Sequence, residues 1–278
     1  MQPVPPLRDD DGRPVLLGTP AVRVVTLAPS LTELVFAAGA GDKLAGVSAY
    51  SDYPANATRL PVMSDAAGIS WEGLLALNPD LVLAWKGGTR DADISRLNAL
   101  GINVFTIEIK RLDDVARALR AIGKLVGRPD PAEQAARTYR HQLEVLREAN
   151  AGKQKIGVFF EISGKPLMTI NRDHVITEAM TVCGGRNVFA DAPTLVIEPS
   201  REELLKRKPD AILHGKTSKG DRDESQYKGL SAATERNYGI TADFVFRPGP
   251  RLLLATQEIC AALDRSRASL GAANPRQR

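Results

Sequence analysis

The 278-residue sequence predicts an α/β protein made of two like lobes placed either side of one long helix. Three observations carry this. Strand-like and helix-like stretches alternate along the chain, the pattern of a parallel sheet. One segment recurs at an offset of 130 residues. Between the two copies lies an unbroken helical stretch, Asp130 to Asn150.

The long stretch comes first because the rest is arranged about it. Asp130 reads as an N-cap, Pro131 as the first helical residue, and Glu133 as the partner in a capping box. Ala132, Ala135, Ala136, Tyr139, Leu143 and Leu146 recur at steps of three and four, which makes one apolar face. About 20 residues at 1.5 Å each span roughly 30 Å, the width of a small domain. Such a helix serves equally as a crossover inside one domain or as a strut between two, and the repeat favours the strut. Its first copy is Glu72-Gly73-Leu74-Leu75-Ala76-Leu77-Asn78-Pro79-Asp80-Leu81-Val82-Leu83. The second is Glu202-Glu203-Leu204-Leu205-Lys206-Arg207-Lys208-Pro209-Asp210-Ala211-Ile212-Leu213. A cleft between two such lobes, rimmed by loops at the strand ends, is a favoured ligand site.

The remaining elements follow in order. Asp10-Asp11-Gly12 marks a tight turn, and residues 23–28 read as a buried strand. Ser30 and Glu33 suggest a capping box opening a helix that Gly39 ends. Strands are expected over 43–48, 81–85 and 103–107, with helices from Ser70 to Leu77 and over 94–100 and 112–126. In the second half, strands are expected over 155–162, 167–170 and 211–214, and helices over 174–183 and 201–208. Residues 216–238 resist assignment, 240–244 read as extended, and 251–263 as a closing helix before a frayed basic tail with Arg265, Arg267, Arg276 and Arg278.

Composition narrows the function. Hydrophobic residues make up 43% and charged residues 25%, with a net charge of +4. That is an ordinary globular composition, and its apolar runs are too short to span a membrane. No basic stripe interleaved with aromatics points to nucleic acid. The start, Met1-Gln2-Pro3-Val4-Pro5-Pro6, carries no apolar signal-peptide core, so it reads as cytosolic or as a processed form. Cys183 and Cys260 are two buried thiols or one disulfide. Catalytic signatures are lacking: Gly39-Ala40-Gly41 follows a helix rather than opening one, and no phosphate loop or nucleophile elbow is present. His174 and Glu178, one helical turn apart, read as a solvent-exposed pair rather than as metal ligands. No cofactor or metal is expected, and a binding protein fits better than an enzyme.

Several stretches carry a family resemblance: residues 23–39 with Pro29-Ser30-Leu31-Thr32-Glu33, the segment Tyr50-Ser51-Asp52-Tyr53-Pro54, the segment Ala84-Trp85-Lys86-Gly87-Gly88, and residues 183–189. The chain resembles the periplasmic vitamin B12-binding proteins of bacterial ABC importers over residues 23–263. The Pro-Ser-x-Thr-Glu opening is shared with siderophore- and haem-binding relatives. The resemblance implies two Rossmann-like lobes with mainly parallel sheets joined by one long rigid helix, with lobes at 21–128 and 153–270 and the helix at 129–152. It implies a periplasmic monomer that captures cobalamin or a related corrinoid in the interlobe cleft and delivers it to a dimeric inner-membrane permease. It further implies a Cys183–Cys260 disulfide. Ligand contacts would come from Tyr50, Trp85, Met168, Val196, Asp243, Phe244 and Arg247, and permease contacts from Glu72 and Glu202. Ala66, Met168, Val196 and Phe244 stand where that pattern carries other aromatic side chains. A haem or ferric-siderophore binder of the same fold is the alternative, and a cytosolic α/β enzyme the more distant one.

Overall fold

The computed structural model describes residues 7–216 and 224–273. They divide into two compact units. The first runs to Ile109 and continues over Asp113–Arg140; the second takes Lys110–Leu112 and the chain from His141 onward.

The first unit opens with a hairpin of β1 (Leu7–Arg8) and β2 (Pro14–Val15). Then come β3 (Val24–Thr26), α1 (Pro29–Ala37), β4 (Leu44–Ser48), β5 (Val62–Asp65), β6 (Gly68–Ile69), α2 (Trp71–Leu77), β7 (Leu81–Trp85), α3 (Asp91–Ala99), β8 (Asn103–Ile107) and α4 (Asp114–Leu125). One sheet orders them β6-β5-β4-β3-β7-β8. All its neighbours are parallel except β5 and β6. Parallel strands must be covered on both faces, which is why β3 and β7 are apolar and buried almost throughout. Edge strand β8 is covered by the hairpin. Asp10 N–H donates to Thr106 O at 3.0 Å, and Glu108 N–H donates to the Asp10 carboxylate at 2.7 Å. That blunts an edge otherwise open to pairing.

Helix α5 (Pro129–Asn150) contributes residues up to Arg140 to the first unit and from His141 to the second. Its predicted face holds: Ala132, Ala136, Tyr139 and Leu143 are buried, with Ala135 and Leu146 half-buried. Its predicted start does not. The helix begins at Pro129, so Asp130 sits inside the first turn rather than capping it. Glu133 is taken by Arg120 (2.6 Å) and Arg137 (2.8 Å) instead of by a capping box, and these guanidiniums hold its carboxyl at about 2. Helices α4 and α5 approach so closely that a Cβ on Gly123 would lie 2.3 Å from the Ala132 Cβ. The Ser30 capping box is also absent. Ala28 is the N-cap, Pro29 fills the first turn, and Ser30 is buried.

The second unit contains β9 (Ile156–Glu161), β10 (Ser163–Gly164), β11 (Leu167–Ile170), α6 (Val175–Val182), β12 (Gly185–Asn187), β13 (Val196–Ile197), α7 (Arg201–Arg207), β14 (Ala211–Gly215), α8 (Ala232–Glu235), β15 (Asn237–Ile240), α9 (Ala242–Val245) and α10 (Leu252–Ala273). A parallel sheet orders β12-β9-β14-β15, and a small antiparallel one β10-β11-β13. Two expectations fail here. Residues 242–245 form a helical turn rather than extended chain, because Thr241 opens it with its N–H and hydroxyl both on the Glu258 carboxylate (2.7 and 2.8 Å). The closing helix continues to Ala273, held by Arg267 on the Cys183 carbonyl (2.6 Å) and by Lys153 on Asp264 (2.8 Å). Of the unassigned stretch, 217–223 lie outside the described residues, as do Arg276 and Arg278 of the tail.

The sequence repeat is a structural repeat. Helices α2 and α7 both close on a left-handed residue, Asn78 (φ +46°) and Lys208 (φ +44°), before Pro-Asp leads into β7 and β14. Leu74 and Leu204 are both fully buried, each contributing roughly 1.5–3 kcal/mol of apolar burial. Each Pro-Asp aspartate then holds its unit's first parallel strand. Val22 and Arg23 N–H donate to Asp80 (2.8 and 2.9 Å), and Gly157 N–H donates to Asp210 (2.6 Å).

Candidate functional site

In an open parallel sheet the loops after the strands' carboxyl ends are the natural place for a ligand. Of the predicted ligand residues, Tyr50 and Trp85 belong to this region of the first unit. Tyr50 follows β4 at φ +63° and is 78% exposed, unusual for so large an apolar ring. Trp85 ends β7 and is 37% exposed, and its ring lies over Gly88, where a Cβ would come within 2.1 Å of it. Only glycine lets the Trp85 ring lie there.

Beside them is a pocket of about 230 Å³ lined by the ends of β5, β6 and α3. Leu27 and Ile69 supply its apolar lining, Ala66, Ala67 and Gly68 its narrow wall, and Asp65, Arg90 and Asp93 its charge. Arg90 is held by Asp93 through two bonds (2.7 and 3.2 Å), and Asp65 accepts from the Ala67 N–H at 2.8 Å. Two carboxylates and one guanidinium line the pocket, so the lining favours a neutral or cationic group over an anion. Ala66, where the resemblance implies an aromatic ring, lines this pocket. The charged trio was missed in the sequence; Arg90 and Asp93 carry an i, i+3 helical spacing that could have flagged them.

In the second unit, Met168 and Val196 are half-buried on the two adjacent strands β11 and β13. Asp243, in α9, and Arg247, just beyond its end, form an ion pair at 3.0 Å. Phe244 is half-buried, with the Arg251 guanidinium 5.3 Å from its ring centre. Deeper in the unit, the buried Tyr227 hydroxyl donates to the buried Glu161 carboxylate at the end of β9.

His174 and Glu178 are not the solvent-exposed pair the spacing suggested. His174 caps α6, its Nδ1 accepting from Ile176 N–H at 3.2 Å, and burial lowers its pKa to about 4. Glu178 turns away to the Leu112 N–H (2.8 Å), Arg111 (3.2 Å) and Arg147 (3.4 Å). Among the described residues no cluster of three His, Cys, Asp or Glu could hold a metal ion, and no helix is long and apolar enough to cross a membrane. Cys183 and Cys260 are bonded, joining the end of α6 to α10. Glu72 and Glu202 are exposed in the first turns of α2 and α7.

Exposed aromatics at strand ends and two like α/β units describe a solute-binding protein. The chain belongs to the periplasmic binding protein family, whose sequence model matches residues 24–230. It is 38% identical over 245 residues to the vitamin B12-binding protein of Yersinia pestis (strain Pestoides F), covering 86% of this chain and 85% of that one. It is 34% identical over 247 residues to the vitamin B12-binding protein of Vibrio cholerae serotype O1, covering 88% and 90%. The crystal structure of the periplasmic vitamin B12 binding protein BtuF of Vibrio cholerae superposes with a TM-score of 0.82 at 33% identity, over 89% of this chain and 98% of that one. The apo periplasmic heme-binding protein RhuT from Roseiflexus sp. RS-1 shares the fold at a TM-score of 0.77 and 22% identity, over 88% and 98%.

Proposed function

We propose that this chain is the substrate-binding component of an ABC importer, working in the periplasm, and that it captures cobalamin or a related corrinoid. The observation that carries the reading is the pair of exposed aromatics, Tyr50 and Trp85, fixed at the carboxyl ends of β4 and β7 in a chain related along most of its length to vitamin B12-binding proteins. Rigid aromatic rings cover the broad apolar faces of a macrocycle at little entropic cost. From the second unit, Met168, Val196 and Phe244 supply further apolar contact, and Asp243 with Arg247 a polar one. Met168, flexible and polarisable, fills an irregular gap where an aromatic would be rigid.

The pocket chemistry supports a corrinoid over haem or a ferric siderophore. A corrinoid's periphery carries neutral amides, which both donate and accept hydrogen bonds. The propionates of haem and the carboxylates of many siderophores would meet Asp65 and Asp93. Glu72 and Glu202, at one position of a repeat, suit a permease of two-fold symmetry that meets the same patch twice through arginines. Isothermal titration with cobalamin, cobinamide and haem tests the ligand. Cobalamin or cobinamide binding at micromolar or tighter, with haem weaker, supports the proposal. No binding below about millimolar by either corrinoid would sink it. Trp85→Ala is expected to weaken corrinoid binding by about 1–3 kcal/mol.

A further inference from the structure

The Pro29-Ser30-Leu31-Thr32-Glu33 motif presents nothing to the pocket, and Thr32 is fully buried. Its hydroxyl is the hub of a chain of four. Thr26 Oγ1 lies 2.7 Å away on one side and Ser51 Oγ 3.0 Å away on the other, and Ser51 Oγ continues to Ser48 Oγ at 3.2 Å. The four belong to the end of β3, the first turn of α1, the end of β4 and the loop beyond it. None is more than 7% exposed. Buried hydroxyls joined in this way polarise one another and fix the backbones that carry them, and removing one leaves the others short of a partner.

Ser51 is the neighbour of Tyr50. A tyrosine in the left-handed region is uncommon and persists only where the surroundings over-determine it. With 78% of the residue exposed, packing of the Tyr50 ring does not hold it. The backbone on both sides is tied instead. Ala49 N–H donates to Ser64 O (2.7 Å), Ser51 N–H to Ser48 O (3.3 Å) and Asp52 N–H to Tyr50 O (3.0 Å).

We propose that Thr32 is a positioning residue: through Ser51 it holds Tyr50 in its left-handed conformation and so aims the ring before ligand arrives. The motif at the start of α1 thereby acts on a surface it does not touch. The affinity part of this proposal rests on Tyr50 meeting the ligand; the conformational part does not.

Two measurements on the full chain separate these parts. The first is amide hydrogen exchange in wild type, Thr32→Val, Thr32→Ser and Ser51→Ala. Loss of the hydroxyl in Thr32→Val or Ser51→Ala should speed exchange at Ala49 and Ser51 about tenfold or more relative to β7. Thr32→Ser, which keeps the hydroxyl, should stay within about twofold of wild type. Unchanged protection in both hydroxyl-free variants, or an equal loss in Thr32→Ser, overturns the proposal. Should Thr32→Val fail to fold, Ser51→Ala decides it. The second is cobalamin titration in wild-type and Tyr50→Ala backgrounds. Thr32→Val should weaken binding about tenfold in the first and less than about twofold in the second, because residues acting as a unit are not additive. Equal losses in both backgrounds would make Thr32 merely structural and overturn its role. If wild type binds no cobalamin, the ligand reading fails and hydrogen exchange alone judges this inference.

Discussion

The two units carry the same helix, Pro-Asp and strand, yet differ in what ties that segment down. In the first, Asp80 takes two backbone N–H groups at the start of β3, and Arg23 reaches back to it (3.2 Å) and to the Asn78 carbonyl (2.7 Å). In the second, Asp210 takes one backbone N–H, and Arg236 bonds its carbonyl instead (2.7 Å). The first unit spreads its core over a six-stranded sheet with a hairpin on its edge, whereas the parallel sheet of the second has four strands and a covalent tie from α6 to α10. The smaller sheet offers less area to bury, and a cross-link is the usual remedy for a core of limited size.

That contrast can be broken most forcefully at the disulfide. Cys183 and Cys260 are 77 residues apart, and opening that loop should cost about 4–5 kcal/mol on the chain-entropy account. Both tryptophans, Trp71 and Trp85, belong to the first unit, so their fluorescence follows that unit while circular dichroism follows both. Cys183→Ser with Cys260→Ser should move part of the dichroism transition in urea to lower concentration and leave the fluorescence midpoint nearly in place. An equal shift of both signals would mean that the units unfold as one.

Next in size is His174, again in the second unit alone. Its folded pKa of about 4 lies below its ordinary value of 6.5, so the unfolded chain takes up the proton first as pH falls. Stability contributed by the neutral ring is therefore whole above about pH 6.5 and drains away down to about pH 4. The total is about 3 kcal/mol at most. His174→Asn keeps a capping acceptor without titrating, and urea midpoints at pH 7 and 4.5 should differ less in that variant than in wild type. An unchanged difference would place the pH sensitivity elsewhere.

The Pro-Asp repeat gives a direct comparison at a smaller scale. Asp80→Ala should destabilise the first unit by about 2–3 kcal/mol and Asp210→Ala the second by about 1–2 kcal/mol, because the first leaves more donors unpaired. Equal losses, read by the same two optical signals, would show that the carboxylates matter only as turn residues. Smallest of all, Glu72→Lys and Glu202→Lys should each change stability by less than about 0.5 kcal/mol, as exposed first-turn residues do. Both should leave cobalamin affinity unchanged, and the double reversal should abolish permease-dependent uptake. Intact uptake would remove these glutamates from the docking surface.

Much of the fold was legible in the sequence because its signals are local. Leu81–Trp85, Asn103–Ile107 and Leu167–Ile170 are apolar runs bounded by turn residues, and they are strands at those limits. The buried face of α5 follows from spacing alone. What local pattern misjudged were the ends. Capping signatures at Ser30 and Asp130 were overruled because Pro29 and Pro129 start their helices earlier, and Glu133 had two arginines within reach. The turn at Ala242–Val245 depends on Glu258, 17 residues from Thr241 in the chain, which no window on 240–244 contains.

The site divides the same way. Tyr50 and Trp85 became candidates through the family resemblance, and the structure places both exposed at strand ends. Their surroundings were not legible in the sequence. That Asp65, Arg90 and Asp93 share one pocket, and that Thr26, Thr32, Ser48 and Ser51 share one buried chain of hydroxyls, are facts of strands and helices meeting across the sheet. By itself the sequence determined the alternation of elements, the repeat and the apolar faces, because periodicity and turn chemistry act over a few residues. Only the tertiary structure decided which polar groups found partners, because a buried hydrogen bond is made by whichever group the packing brings within 3 Å, whatever its distance along the chain.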